Sequence, residues 1–139
     1  MLPRKLRFTR PEGKPVVGGC TPASMYSGYM LDYEITPSQL EAIVSSPERE
    51  HVVLLDVREP QEYVVARIEG SVLMPMGDVP GRANQELNPD SHIVTICHHG
   101  VRSMNVAVWL RNQGFEKTQS LRGGIDAWAT LVDPTIARY

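Results

Sequence analysis

A chain of 139 residues fits one domain with room for a short tail, and 42% hydrophobic with 22% charged residues is the composition of an ordinary soluble globular protein. The formal net charge of -2 argues against a nucleic-acid or membrane-surface role built on overall charge, so any electrostatic attraction has to be local. Two cysteines, and apolar runs no longer than a strand, argue against a disulfide-stapled secreted scaffold and a bilayer-spanning helix; the expectation is a cytoplasmic setting with free thiols.

Residues 1–32 differ from the rest of the chain. Pro3, Pro11, Pro15, Gly18, Gly19, Pro22 and Gly28 punctuate them, and no helical or alternating period survives. They read as an extended N-terminal arm. Its apolar members Val16, Val17, Met25, Tyr26, Tyr29 and Met30 call for packing against the domain or a second subunit, so a dimer formed through the arm is one expectation. Cys20, in Gly-Gly-Cys-Thr-Pro, reads as an incidental thiol in preference to a resolving partner for Cys97.

The regular domain spans residues 33–139. Tyr33-Glu34-Ile35 is a short strand, and Thr36 then caps a helix with Pro37 at its first position, running to about Val44. Val52 to Asp56 is an apolar run closed by a carboxylate, the pattern of a parallel strand buried on both faces. Glu59 to Arg67 reads as a short helix, Gly70-Ser71 as a turn, and Val72 to Met74 as a third strand closed by Pro75. Asp78-Val79-Pro80 starts a helix reaching about Leu87, which Asn88-Pro89-Asp90 breaks. His92 to Ile96 is a fourth strand delivering Cys97 into a short loop; the helical pattern Met104 to Gln113 comes next and stops at Gly114. Lys117 to Leu121 is a weaker fifth strand. Arg122-Gly123-Gly124 forms a second strand-to-helix loop, and Ile125 to Leu131 is a helix carrying Trp128. Strands alternating with helices through short connections imply an α/β domain: a mostly parallel sheet with helices on both faces.

In such sheets ligands gather at the carboxyl ends of the strands, where Asp56-Val57-Arg58, the Cys97 loop and Arg122-Gly123-Gly124 all fall. The Cys97 loop carries the chemistry. A helix N-terminus together with Arg102 favours the thiolate, the nucleophilic form of the cysteine. Gly100 lets the backbone curl so that successive N–H groups make a nest for an anion. The combination suits a covalent intermediate on sulfur.

Cys97-His98-His99-Gly100-Val101-Arg102-Ser103 resembles the active-site loop of the rhodanese-like sulfurtransferase family. Three further segments resemble that family's flanking motifs in the same order. They are Leu54-Leu55-Asp56-Val57-Arg58-Glu59 with Glu62-Tyr63, Ile68-Glu69-Gly70-Ser71, and Leu121-Arg122-Gly123-Gly124-Ile125-Asp126-Ala127-Trp128. The resemblance covers residues 33–139 and leaves the arm outside. It implies a three-layer rhodanese-like fold with a five-stranded, mostly parallel sheet, and Cys97 as the catalytic residue that carries sulfur as a persulfide. His98, His99, Gly100, Val101, Arg102 and Ser103 are then the substrate-binding loop, with Asp56 and Arg58 in support. Arg67 stands where many relatives have His before the Ile-x-Gly turn.

The related phosphatases of the Cys-x5-Arg kind need five residues between thiolate and arginine, so that the loop closes around a tetrahedral phosphate. Cys97 and Arg102 have four between them. The tighter loop fits sulfur transfer, and phosphatase or arsenate-reductase activity is the alternative enzyme reading. The resemblance further implies transfer of sulfane sulfur from thiosulfate or a persulfide donor to a thiophilic acceptor by double displacement. The segment Gly123 to Trp128, with Asp133-Pro134 and Tyr139, also looks like the end of the rhodanese part of sulfurylases. A relay to a protein acceptor therefore stands beside the small-molecule reading, with a sulfur-carrier protein or a cysteine desulfurase as expected partners.

No metal or organic cofactor is called for, because adjacent His98 and His99 in a tight loop rarely aim at one ion. Asp56 is expected to hold backbone N–H groups. His51 and His92 precede strands and are expected to be solvated. Val106, Ala107 and Leu110 form a core face of their helix. Met104, Val108 and Trp109 form a second apolar stripe that the arm would cover.

Overall fold

Two apolar strands set the architecture of the computed structural model, which describes residues 31–139. Val52–Asp56 and His92–Ile96 pair in parallel along their whole length, Val52 opposite His92 and Asp56 opposite Ile96. The strands are β1 (Glu34–Ile35), β2 (Val52–Asp56), β3 (Val72–Leu73), β4 (His92–Ile96) and β5 (Thr118–Leu121). They form one sheet in the order β1-β5-β4-β2-β3, every pairing parallel. The helices are α1 (Pro37–Val44), α2 (Pro60–Val65), α3 (Val79–Glu86), α4 (Val101–Asn112) and α5 (Gly124–Leu131).

Successive strand residues point to opposite faces, and two cores result. Leu55, Ile93 and Cys97 pack on one face with Met74, Val79, Ala83, Val106, Leu110 and Phe115. Leu54, Val94 and Ile96 pack on the other with Leu40, Leu121, Ile125 and Trp128. This is the three-layer α/β arrangement expected from the sequence. Strand β4 lies at the centre of the sheet, so the chain leaving it enters the middle of the carboxyl edge.

Local rules account for most boundaries. Thr36 closes a capping box on α1: its hydroxyl accepts the Gln39 N–H (3.1 Å), and the Gln39 side chain accepts the Thr36 N–H (2.9 Å). Helix α2 ends sooner than the sequence pattern suggests. At Ala66 the backbone turns extended, the side chain enters the second core, and the carbonyl is given to Arg58. Helix α4 begins at Val101, three residues before its apolar pattern, because the Gly100 carbonyl already accepts the Met104 N–H (3.1 Å). Short 3-10 turns at Pro47–His51 and Met76–Asp78 occupy connections that carry no periodic signal.

His92 corrects an expectation. It is 6% exposed, and its Nε2 lies 2.8 Å from the Gln119 side-chain oxygen across the β4–β5 pair. The partner is 27 residues away, so nothing local announced the burial. Burial pushes the His92 pKa below its ordinary 6.5. The unfolded chain therefore takes up this proton more readily, and stability present above that value is lost as pH falls through the lowered folded pKa. We expect the melting temperature to drop on acidification below about pH 6.5, the ordinary histidine value. His92→Gln should flatten that part of the profile.

The core face Val106, Ala107 and Leu110 is buried, whereas Met104 and Trp109 are half-buried and Val108 is exposed. Residues 1–30 of the arm that would cover this stripe, Cys20 among them, lie outside the described residues. Among the described residues no helix is long and apolar enough to cross a membrane.

Candidate active site

Cys97 leaves the central strand and is 1% exposed. The loop beyond it turns back on the sulfur. The Gly100 N–H donates to Sγ at 3.0 Å and the Ser103 N–H at 3.3 Å, while the Ser103 hydroxyl lies 3.3 Å from Sγ. Two backbone donors aimed at one sulfur stabilise negative charge there without needing a cation. Gly100 has a φ of +112°, the left-handed region that the curl demands.

Behind the sulfur, Ser103 and Ser120 share a hydrogen bond (Oγ to Oγ, 2.7 Å) in which either hydroxyl serves as donor. When sulfur is ionised, Ser103 donates to it and Ser120 donates to Ser103; when sulfur is protonated, both bonds reverse by hydroxyl rotation. Thr95 fixes this pair by donating to the Ser103 carbonyl (2.8 Å).

A second helix start orients the loop from outside. The Ile125 N–H donates to the Cys97 carbonyl (2.8 Å) and the Asp126 N–H to the His98 carbonyl (3.1 Å). With these carbonyls turned outward, loop N–H groups face inward. Gly124 makes the approach possible: its φ is +64°, and a Cβ there would sit 2.4 Å from both carbonyl oxygens. Gly124→Ala is therefore expected to destabilise the domain by at least about 2 kcal/mol and to spoil the sulfur nest. Thermal melts, together with the rate at which a small thiol reagent modifies Cys97, check both effects.

Arg102 is held sideways. Its two terminal nitrogens donate to the two Glu62 carboxylate oxygens at 2.8 and 3.0 Å. That bidentate bond is the main reason the Glu62 pKa falls from 4.5 to about 2; it also raises the Arg102 pKa. The Tyr139 hydroxyl donates to the same carboxylate (2.9 Å) and accepts from Arg58 Nη1 (2.8 Å). Arg58 in turn donates through Nε and Nη2 to the Asp56 carboxylate (2.8 and 2.6 Å), and the Arg58 N–H donates to Asp56 Oδ1 (3.1 Å). Burial by itself would push the Arg58 pKa down, yet its bonds to Asp56 and Tyr139 outweigh that and the net direction is up. Asp56 and Arg58 thus form a fully buried pair whose bonds tie strand, helix α2 and Tyr139 together.

The Tyr139 ring stacks on His98 (4.0 Å, 8°), and His98 stacks on His99 (3.9 Å). Burial, then the neighbouring His99, lowers the His98 pKa below its ordinary 6.5, which disfavours the charged form of this imidazole. Asp126 joins the two histidines, with one ligand atom of each residue within 4.8 Å of the others. Sequence spacing gave no hint of this third member. Both Asp126 oxygens already accept from Arg138 (2.9 and 3.2 Å).

Of the loop residues singled out in the sequence, Cys97, Gly100 and Ser103 meet at the sulfur, His98 and His99 line its rim, and Val101 is 71% exposed. Arg102 points to Glu62 and not to an open anion cradle. Ser120, Asp126 and the roles of Glu62 and Tyr139 were not legible, being brought in from 17 to 77 residues away.

The sequence profile of the Rhodanese-like domain matches residues 36–131. The chain belongs to the rhodanese-like domain family. The rhodanese-like domain is 39% identical over 101 residues to the putative sulfurtransferase YtwF of Bacillus subtilis, covering 73% of this chain and 94% of that protein. It is 39% identical over 89 residues to the Rhodanese-like/PpiC domain-containing protein 12, chloroplastic, of Arabidopsis thaliana, covering 62% of this chain and only 30% of that longer protein. Its fold superposes on the rhodanese-like domain of an Anabaena sp. protein with a TM-score of 0.67, at 25% identity over 73% of this chain and 76% of the other. Sulfurtransferases recur among its relatives.

Proposed function

We propose that this chain is a sulfurtransferase that moves sulfane sulfur from thiosulfate or a persulfide donor to a thiophilic acceptor through a Cys97 persulfide. The observation that carries the reading is the sulfur nest: a buried thiol receiving the Gly100 and Ser103 N–H groups, at the carboxyl end of the central strand. Cys97 is the catalytic residue, and the loop from His98 to Ser103 is the substrate-binding cradle. Asp56 and Arg58 support it from behind.

In the first displacement the Cys97 thiolate attacks the outer sulfur of the donor. A new S–S bond forms, the donor's own bond to that sulfur breaks, and its electron pair leaves with sulfite or a thiolate. The Gly100 and Ser103 N–H groups hold the charge on Sγ before attack and on the outer sulfur after it, and the Ser103–Ser120 hydroxyls reorient to match. An acceptor thiolate then attacks the outer sulfur and releases the Cys97 thiolate. The four-residue spacing from Cys97 to Arg102, too short for a phosphate cradle, favours this over phosphatase or arsenate-reductase chemistry.

A relay to a protein acceptor is the second reading, favoured by the exposed Val101 at the loop rim and by a relative named as a sulfur carrier. A sulfur-carrier protein or a cysteine desulfurase is the kind of partner it takes. The test is to incubate the chain with thiosulfate or with cysteine persulfide, weigh it intact, and follow sulfur delivery to cyanide beside a generic phosphatase assay. A gain of one sulfur atom supports the proposal; phosphate release without a persulfide overturns it.

A further inference from the structure

A cation beside a sulfur nest ordinarily serves an anionic substrate, and here that cation is already taken. Arg102 turns one N–H of each terminal nitrogen to Glu62, which matches its charge and occupies its bidentate face, and that carboxylate is held in place by the Tyr139 hydroxyl and by the Glu59 N–H (3.1 Å). Among the described residues the other arginines near the loop are likewise paired: Arg58 with Asp56, Arg138 with Asp126 and Arg122 with Glu34. Stacked between Tyr139 and His99, His98 is in a setting that disfavours a positive charge. Each of these arginines is therefore matched by a carboxylate.

We propose that Glu62 sets donor choice, by withholding Arg102 from dianionic donors and so selecting a persulfide over thiosulfate. The inference rests on the sulfur-transfer reading above. Its basis is the charge each reaction brings into the cradle. A Cys97 thiolate attacking thiosulfate forms the Cys97 S–S bond, breaks the bond between the outer sulfur and the sulfonate sulfur, and expels sulfite. One negative charge on Cys97 meets two on the donor, and all three must be accommodated at once. Attack on a protonated persulfide, R–S–SH, forms Cys97–S–SH and expels R–S⁻; with cysteine as R, the reacting donor carries no net charge. Two N–H groups suffice for the second case. The first needs a free cation, because Coulomb repulsion between like charges in a partly buried site is screened far less than in water.

Glu62 acts through Arg102, so it is a positioning residue, and its signature is a change in the ratio of two activities. Rates of Cys97 persulfide formation from thiosulfate and from cysteine persulfide are measured on the same preparation by intact mass at timed intervals. In Glu62→Gln the thiosulfate-to-persulfide ratio of kcat/KM should rise about tenfold, the scale of one charge-assisted hydrogen bond returned to the substrate. Glu62→Asp, which keeps the carboxylate, should stay close to the original ratio. In the double variant Glu62→Gln/Arg102→Gln the gain should disappear, because the freed cation is gone. A ratio is insensitive to partial unfolding, which lowers both rates alike. A ratio in Glu62→Gln within twofold of the starting value, or lower, overturns the inference while leaving sulfur transfer standing. If neither donor loads Cys97, the sulfur-transfer reading falls, and the inference with it.

Discussion

Cys97→Ser should abolish the one-sulfur mass gain with either donor and lower sulfur delivery to cyanide by more than about a thousandfold, the scale on which loss of a nucleophile acts. The fold should survive. A serine hydroxyl fits the space at the end of β4 and still accepts the Gly100 and Ser103 N–H groups, so the melting temperature is expected to change little. Intact mass, a cyanide assay and a thermal melt on one preparation separate chemistry from stability. Retention of the mass gain would place the sulfur elsewhere and remove Cys97 from the mechanism.

Asp56→Ala should act in the opposite way, through stability. Asp56 and Arg58 are both 0% exposed, and the substitution strips a buried guanidinium of its counter-charge. Breaking one partner of a buried ion pair costs about 3–5 kcal/mol. For a domain of this size that lowers the melting temperature by roughly 10 °C or more. The companion experiment is Asp56→Ala/Arg58→Met, where an apolar side chain fills the space the guanidinium leaves. Most of the lost stability should return, because no uncompensated charge remains. The double variant also removes the Arg58 donor from Tyr139, so the stack on His98 should loosen even as the melting temperature recovers. A double variant no more stable than the single one would show that Arg58 matters for its bonds to Ala66 and Glu62 more than for its charge.

Legibility in the sequence divides along a physical line. Strands β2 and β4 were legible to the residue because buried parallel strands demand unbroken apolar runs, and α1 because Thr36 and Pro37 carry their own geometry. The curl of the Cys97 loop was legible because its cysteine, its glycine and its arginine lie within a few residues of one another. Asp56 was legible in part: its carboxylate does take the Arg58 N–H, but the guanidinium bound to the same oxygens has no local sequence signal. Partners joined by the fold alone stayed hidden. Glu62 meets Arg102 across 40 residues and Tyr139 meets Glu62 across 77, pairings that no periodicity encodes. The same reason explains His92, an imidazole at a strand start whose burial depends on Gln119 in a neighbouring strand. Helix ends slipped at Ala66, where a tertiary demand overrode propensity, and at Val101, where the Gly100 carbonyl starts the helix ahead of its apolar pattern.

The depth of the sulfur has a consequence for which form of the protein its surroundings encounter. With Cys97 only 1% exposed, the unloaded thiol is out of reach of bulky oxidants and alkylating reagents. One added sulfur extends the reactive tip by about 2 Å, the length of a single S–S bond, toward the rim formed by His98, His99 and Val101. In the proposed cycle, cargo and carrier thus differ in accessibility as well as in chemistry. On the proposed mechanism an acceptor meets a reachable sulfur only while the domain is charged, and the discharged thiol meets only a donor whose outer sulfur enters the cradle.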